Sequence, residues 1–273
     1  MWELYKGALK MGYVFNVKDR QNTFDDIVSI AKECNKIISL VQVGSGSAGY
    51  HDEKSDLDFV IALDSGDSML KVMDFMHQRI CEKCGVSLFR QDESRHLQVY
   101  VLANLLEIDI GYGSYQHAAA IKPCFKVIYD NSGTVEAKMT QSREFMDDRI
   151  FGDKYKNDIA SIQDTFWLHL MHAAVAVYRG NTLRAMGELE FVRNQYIDLL
   201  GDRYRLESAF NREIDNLSED AKNSIRSTFV FSENPQDIWK SILNLTQLLY
   251  KELEDYSIPI SQELLYEYYN SLK

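Results

Sequence analysis

Asp56 and Asp58 stand two residues apart, with the apolar run Phe59 to Leu63 after them. A strand is expected to begin near Asp56. Successive side chains of a strand alternate, so both carboxylates leave one face while Leu57 and Phe59 turn the other way into a core. Two carboxylates this close repel each other unless a cation lies between them. Mg²⁺ suits the place: it is a hard ion that takes oxygen ligands and lets substrate phosphates complete its shell. Just upstream runs Val43-Gly44-Ser45-Gly46-Ser47-Ala48-Gly49. Such a turn offers backbone N–H groups and a hydroxyl to phosphate oxygens, and glycine permits close approach. Further along, Glu107 and Asp109 share one face of Leu105–Ile110. Acids leaving an otherwise apolar strand are costly unless solvated, paired or metal-bound. Ordinary surface acids would explain either strand alone. Both strands together, with the Gly-Ser loop, favour metal-dependent phosphoryl-type chemistry.

Gly44, Gly46 and Gly49 also satisfy G-x-G-x-x-G after a strand, with Asp64 twenty positions after Gly44. A dinucleotide fingerprint must open a helix whose N-terminus faces the pyrophosphate. Here Gly49 is followed by six mostly polar or charged residues and then by a new strand. No crossover helix fits in that space, and the dinucleotide reading is set aside.

The elements that must position these residues alternate through the first half. A helix is expected over 22–36, a strand over Ile37–Val43, a loop over 44–55 and a helix over 67–83. Short strands follow at Val86–Phe89, Leu97–Leu102, Leu105–Ile110 and Phe125–Tyr129, the last preceded by Pro123 and followed by the Asn131-Ser132-Gly133 turn. From about Asp153 the periodicity is helical. Ile159–Tyr178 is apolar around most of its surface, as in a central buried helix. Stripes run from Leu183 to Leu199 and from Ile238 to Leu253, and Leu265, Tyr268, Tyr269 and Leu272 mark a last helix. Gly180-Asn181 and Gly201-Asp202 read as stops between helices. The layout is thus an α/β (α+β) domain over residues 1–150 and an all-α helical bundle over 151–273.

Across 273 residues, 30 Lys and Arg stand against 41 Asp and Glu, a net charge of −11. That argues against a nucleic-acid partner, which needs a basic footprint. No apolar run is long enough to cross a membrane. The start, Met1-Trp2-Glu3-Leu4-Tyr5, lacks the basic-then-apolar layout of a signal peptide. A cytoplasmic location is the expectation. Four cysteines (Cys34, Cys81, Cys84, Cys124) are too few for a disulfide framework. Cys81-x-x-Cys84 has no second pair with which to complete a zinc site.

Taken together, Val43-Gly44-Ser45, a ten-residue spacer and Ser55-Asp56-Leu57-Asp58, with a later strand acid, resemble the DNA polymerase β-like nucleotidyltransferase superfamily. The likeness is to its branch of aminoglycoside and lincosamide adenylyltransferases. Val127–Gly133, Asp164-Thr165-Phe166-Trp167, Tyr178-Arg179-Gly180 and the helix through Glu190 to Arg193 carry weaker echoes. The resemblance implies a small mixed sheet followed by a helical domain. It implies an enzyme that moves a nucleoside monophosphate, AMP from ATP, onto the hydroxyl of a small molecule. Asp56, Asp58 and Asp109 become ligands of two Mg²⁺ ions that bridge to the triphosphate. Gly44, Ser45, Ser47 and Ser55 become the nucleotide-binding residues. The third acid sits in Glu-x-Asp, so Glu107 is the alternate to Asp109; Asp109 is preferred as nearer the strand end, as metal ligand, general base or both. The acidity and the 16 tyrosines would suit a cationic, ring-containing acceptor such as an antibiotic. A regulatory protein on the same fold, like the partner of a helical toxin, and a protein-modifying nucleotidyltransferase are the alternatives. Monomer and homodimer both stay open.

Other residues have plainer readings beside a functional one. Lys54 is expected to be solvated in its loop. Arg179 suits a helix C-terminus. Glu188 and Glu190 are expected as surface acids, with an acceptor-binding role as the minority alternative. His169 and His172 lie three apart on one helix face, as metal ligands can. With no carboxylate or cysteine three or four residues from either, they are expected to be core or hydrogen-bonded histidines.

Overall fold

A computed structural model describes residues 13–120, 124–143 and 152–272. The N-terminal pentapeptide and Pro123 lie outside the described residues. The chain forms two compact units, Met1–Met146 and Asp147–Lys273.

The first unit opens with α1 (Val17–Glu33), followed by β1 (Ile37–Val43), a single helical turn α2 (Gly44–Ser47) and β2 (Leu57–Leu63). Then come α3 (Met69–Lys83), β3 (Val86–Asp92), β4 (Leu97–Leu102), β5 (Glu107–Ser114), β6 (Lys126–Asp130) and α4 (Val135–Arg143). The six strands make one mixed sheet in the order β3-β4-β5-β2-β1-β6. Of its strand pairs, β2 with β5 is parallel and the others are antiparallel. One face carries Leu57, Phe59, Ile61, Ile108 and Ile110, packed with Ile27 and Ile30 of α1 and Met73, Met76 and Ile80 of α3. A smaller cluster on other sheet residues, Val41, Val43 and Ala62, packs with Val135 and Met139 of α4. Alternation along β2 and β5 thus leaves Asp58 and Asp109 off the main core.

The first helix begins five residues earlier than its apolar spacing predicts. Its opening turn, Val17-Lys18-Asp19-Arg20, is polar and carries no 3.6-residue stripe. The start is fixed instead by a capping box: Asn16 Oδ1 accepts from the N–H groups of Lys18 and Asp19, and Asp19 Oδ2 accepts from Asn16 N–H at 3.0 Å.

The second unit holds α5 (Asp153–Ile162), α6 (Phe166–Tyr178), α7 (Thr182–Tyr204), α8 (Glu219–Arg226), α9 (Pro235–Glu252) and α10 (Gln262–Asn270). Its core joins Phe166 and Leu170 of α6, Leu189 and Val192 of α7, and Ile238, Ile242, Leu245 and Leu249 of α9, with Leu265 and Tyr269 of α10. Two expectations need correction. The single helix Ile159–Tyr178 is broken at Gln163–Thr165, where the Thr165 hydroxyl donates to Ser161 C=O at 2.9 Å. Ile159, Ile162 and Phe166 are buried and keep helical spacing across the break, so periodicity carries no sign of it. Nor does Gly201-Asp202 stop α7. The helix runs on to Tyr204 and ends with Arg205 in the left-handed region, Leu206 N–H returning to Gly201 C=O at 2.8 Å. A Cβ at Gly201 would lie 2.8 Å from Ser208 Cβ, so this glycine admits the returning chain. Gly180, by contrast, does end α6. It has φ +73°, and its N–H and that of Asn181 bond back to Val177 and Ala176 C=O. Among the described residues no helix is long and apolar enough to cross a membrane.

Candidate active site

The register of the parallel pair sets Asp58 directly beside Asp109. Paired residues of neighbouring strands point to the same face, and the strands run about 4.8 Å apart. Both carboxylates are half-buried. Beyond Asp109 the same face of β5 continues as Gly111 and Gly113, matched to Val60 and Ala62, so β5 itself adds no side-chain bulk to that face past the acid. On the other side of β2, Asp58 is matched to Val43, the last residue of β1. The chain then turns at Gly44 with φ +64°. A Cβ there would lie 2.1 Å from Asp58 Oδ2, so only glycine brings this turn against the carboxylate. Next to it, Ser45 Oγ is buried and has no hydrogen-bond partner among the described residues. A buried hydroxyl left in that state costs about 1–3 kcal/mol, and a bound phosphate oxygen would satisfy it.

The loop from Gly44 to Asp56 is held by groups that hydrophobic periodicity does not reveal. Arg20 of α1 is only 4% exposed and donates from Nη1 to the carbonyls of Asp52 (2.9 Å) and Ser55 (3.1 Å). Its guanidinium also lies over the Tyr50 ring, 3.7 Å from the centroid. Gln42 donates to the Tyr50 hydroxyl at 2.9 Å. Lys54 is not merely solvated: its ammonium donates to Phe15 C=O at 2.8 Å. Ser47 Oγ donates to Gly44 C=O at 2.8 Å, closing the single turn. Ser55 Oγ accepts from Asp52 N–H at 3.3 Å. These two hydroxyls shape the loop, while that of Ser45 has no such role.

Asp56 differs from its expectation. Pairing of β2 starts at Leu57, so Asp56 is the last loop residue and is exposed. Arg20, through Ser55 C=O, fixes the backbone one residue before it. Glu107 is the first residue of β5 and exposed; Asp109 is the third of eight residues. The preference for Asp109 as nearer the strand end therefore has the wrong reason. What distinguishes Asp109 is its register against Asp58.

Asp58 and Asp109 offer carboxylate oxygens side by side, with the exposed Asp56 two residues before Asp58, and such oxygens suit a hard divalent ion. The Gly44 turn and the open Ser45 hydroxyl suit phosphate oxygens beside that ion. In the second unit Glu190 is exposed, Glu188 is half-buried, and Arg179 is the exposed C-cap residue of α6.

No protein-family profile and no curated protein sequence matches this chain. Solved structures do. An aminoglycoside 6-adenyltransferase from Bacillus subtilis aligns over 93% of this chain and 98% of its own, with TM-score 0.40 and 13% identity. A nucleotidyltransferase-like protein from Exiguobacterium sibiricum aligns over 86% and 76%, with TM-score 0.43 and 10% identity. A cytoplasmic RNA terminal U-transferase aligns over 64% of this chain, with TM-score 0.29 and 14% identity; the match spans 47% of that protein.

Proposed function

We propose that the first unit catalyses Mg²⁺-dependent nucleotidyl transfer, moving AMP from ATP to a hydroxyl of a small molecule. The observation that carries this reading is Asp58 paired in register with Asp109, with the Gly44 turn closed against Asp58. Two carboxylates set side by side, a third acid at the strand head and a buried hydroxyl with no partner among the described residues suit a place where phosphates and a cation are held.

In this reading Asp56, Asp58 and Asp109 would hold the ion. When bound, it offsets phosphate charge and lowers the pKa of the attacking hydroxyl. Gly44 and Ser45 receive the triphosphate, and the Arg20-pinned loop keeps Asp56 at the head of β2. The acceptor oxygen forms a bond to the α-phosphorus. The bond from that phosphorus to the bridging oxygen breaks, and pyrophosphate leaves with the electron pair. Asp109, or Glu107 in its place, takes the proton from the hydroxyl. A cationic acceptor would be favoured by the charge of −11.

The test is pyrophosphate release from each common NTP with Mg²⁺, against aminoglycosides, lincosamides and other polyols, with Asp58→Asn as control. Acceptor-dependent release that the substitution abolishes is the expected result. Release with a protein acceptor alone would replace the small molecule with a protein. Failure to bind any NTP would overturn the catalytic reading in favour of a regulatory protein.

A further inference from the structure

Within the helical unit, two histidines and a carboxylate from adjacent helices come together. From the geometry we infer that His169, His172 and Glu188 form a binding site for a zinc-class divalent ion. His169 and His172 lie on one face of α6. The sequence around them supplies no third ligand, since none stands one helical turn away. The fold supplies it from the next helix. Gly180 reverses the chain, so residues equally far before and after it come level. His172 and Glu188 each lie eight residues from Gly180, and His169 and Phe191 each lie eleven.

The contacts follow that symmetry. His169 Nδ1 is 2.8 Å from Glu188 Oε2, and His172 Nδ1 is 3.9 Å from Glu188 Oε1. One ligand atom from each of the three residues lies within 4.8 Å of the others. Ligands at zinc's usual bond lengths of about 2.0–2.2 Å stand roughly 3.3 Å apart in a tetrahedron. The two measured separations bracket that value, so small side-chain rotations suffice.

The chemistry of the set selects the ion. Two imidazoles and one carboxylate suit zinc, whereas Mg²⁺ and Ca²⁺ prefer oxygen alone. Three protein ligands leave one position for water or another small ligand. Glu188 is 18% exposed by side chain, so its charge is partly withdrawn from water, while His172 at 44% keeps a path to solvent. The Phe191 ring lies against His169, centroids 4.4 Å apart, and fixes that imidazole. Arg184 Nε lies 3.8 Å from Glu188 Oε1; it balances the carboxylate when no ion is bound and must swing aside when one is. Binding would exchange the His169–Glu188 hydrogen bond for two bonds to the ion, and would clip α6 to α7.

The experiment is a Zn²⁺ titration of the full chain in excess Mg²⁺, which occupies carboxylate sites without displacing zinc from nitrogen. Co²⁺ is the spectroscopic substitute. One ion per chain is expected, with the intense visible bands of tetrahedral cobalt and a zinc-dependent rise in Tm. His172→Gln and Glu188→Gln should each lose affinity by more than the roughly 10–100-fold that removing a mere supporting partner costs. Asp58→Asn should bind zinc as the unaltered chain does. His172 is near the surface, and Glu188→Gln preserves side-chain size, so both variants are expected to fold. Absence of stoichiometric zinc, or zinc retained by either variant, overturns the site.

Discussion

Asp58 and Asp109 face the same side of the sheet from adjacent strands, matched residue to residue on its parallel pair. They stand fifty-one residues apart in the chain, so their proximity is a property of strand order. If they share an ion, neither tolerates loss of charge. Asp58→Asn and Asp109→Asn should each lower nucleotidyl transfer by about a thousandfold, which corresponds to several kcal/mol of lost charge stabilisation. Thermal unfolding without nucleotide should change far less than activity, since both carboxylates stand off the main core. Glu107→Gln should cost much less. Equal losses for Glu107 and Asp109 would show that register does not choose between them.

Gly44→Ala tests the turn against Asp58. The added Cβ meets Asp58 Oδ2 at 2.1 Å and imposes a left-handed φ of +64° on alanine. The backbone conformation alone costs about 1–3 kcal/mol, and the carboxylate must move. A displacement of an ångström at a reacting centre costs about a hundredfold in rate. Gly49→Ala is the comparison: its φ is +100°, but a Cβ there has open space. It should cost stability without a matching loss of kcat.

Arg20 is the prediction with most bearing on the loop. Arg20→Met removes two hydrogen bonds to the Asp52 and Ser55 carbonyls and the contact with Tyr50. A destabilisation of about 2 kcal/mol is expected. Amide exchange should quicken between residues 50 and 56 more than in β1 or β5, and KM for nucleotide should rise. Arg20→Lys should rescue only part of this, since an ammonium cannot reproduce the planar fork. Uniform faster exchange over the whole unit would mean a general packing role instead.

What could be read from the sequence follows from how local each signal is. The strands Ile37–Val43 and Leu97–Leu102 were legible from their apolar, β-branched composition, and the two acidic pairs from period-two alternation. Register was not legible, because nothing local to Leu105–Ile110 says which strand lies beside it. Arg20 was hidden for a different reason. It stands in a polar first helical turn, where hydrophobic spacing is silent, and only the Asn16–Asp19 capping pair marked that turn. Glu188 was hidden from the histidines by a hairpin: spacing rules within one helix cannot report a ligand eight residues past the turn. The break at Gln163–Thr165 falls between the buried residues Ile159, Ile162 and Phe166, whose helical spacing runs across it and masked it.

Asp202 gives a pH dependence of unusual sign. Its side chain is 2% exposed and accepts from Lys154 Nζ at 2.8 Å, while the same ammonium reaches Asp158 at 2.6 Å. Burial pushes the Asp202 carboxyl up to about 6 from its ordinary 3.8, with the neighbouring Asp158 charge adding to the rise and Lys154 opposing it. The folded state therefore takes up a proton at a pH where the unfolded chain does not. Stability grows as pH falls from about 6 toward 3.8 and is lost again as pH rises through 6, the reverse of a carboxylate whose pKa is lowered by its partner. The gain is on the order of a few kcal/mol. Urea midpoints measured between about pH 4 and 7 should follow a flatter course as pH falls for the unaltered chain than for Asp202→Asn, because carboxylates common to both cancel in the difference. At neutral pH the variant should be at least as stable, since it lacks the charge that burial disfavours and Lys154 keeps Asp158. Parallel curves for the two chains would mean that Asp202 titrates alike folded and unfolded, with Lys154 fully offsetting its burial.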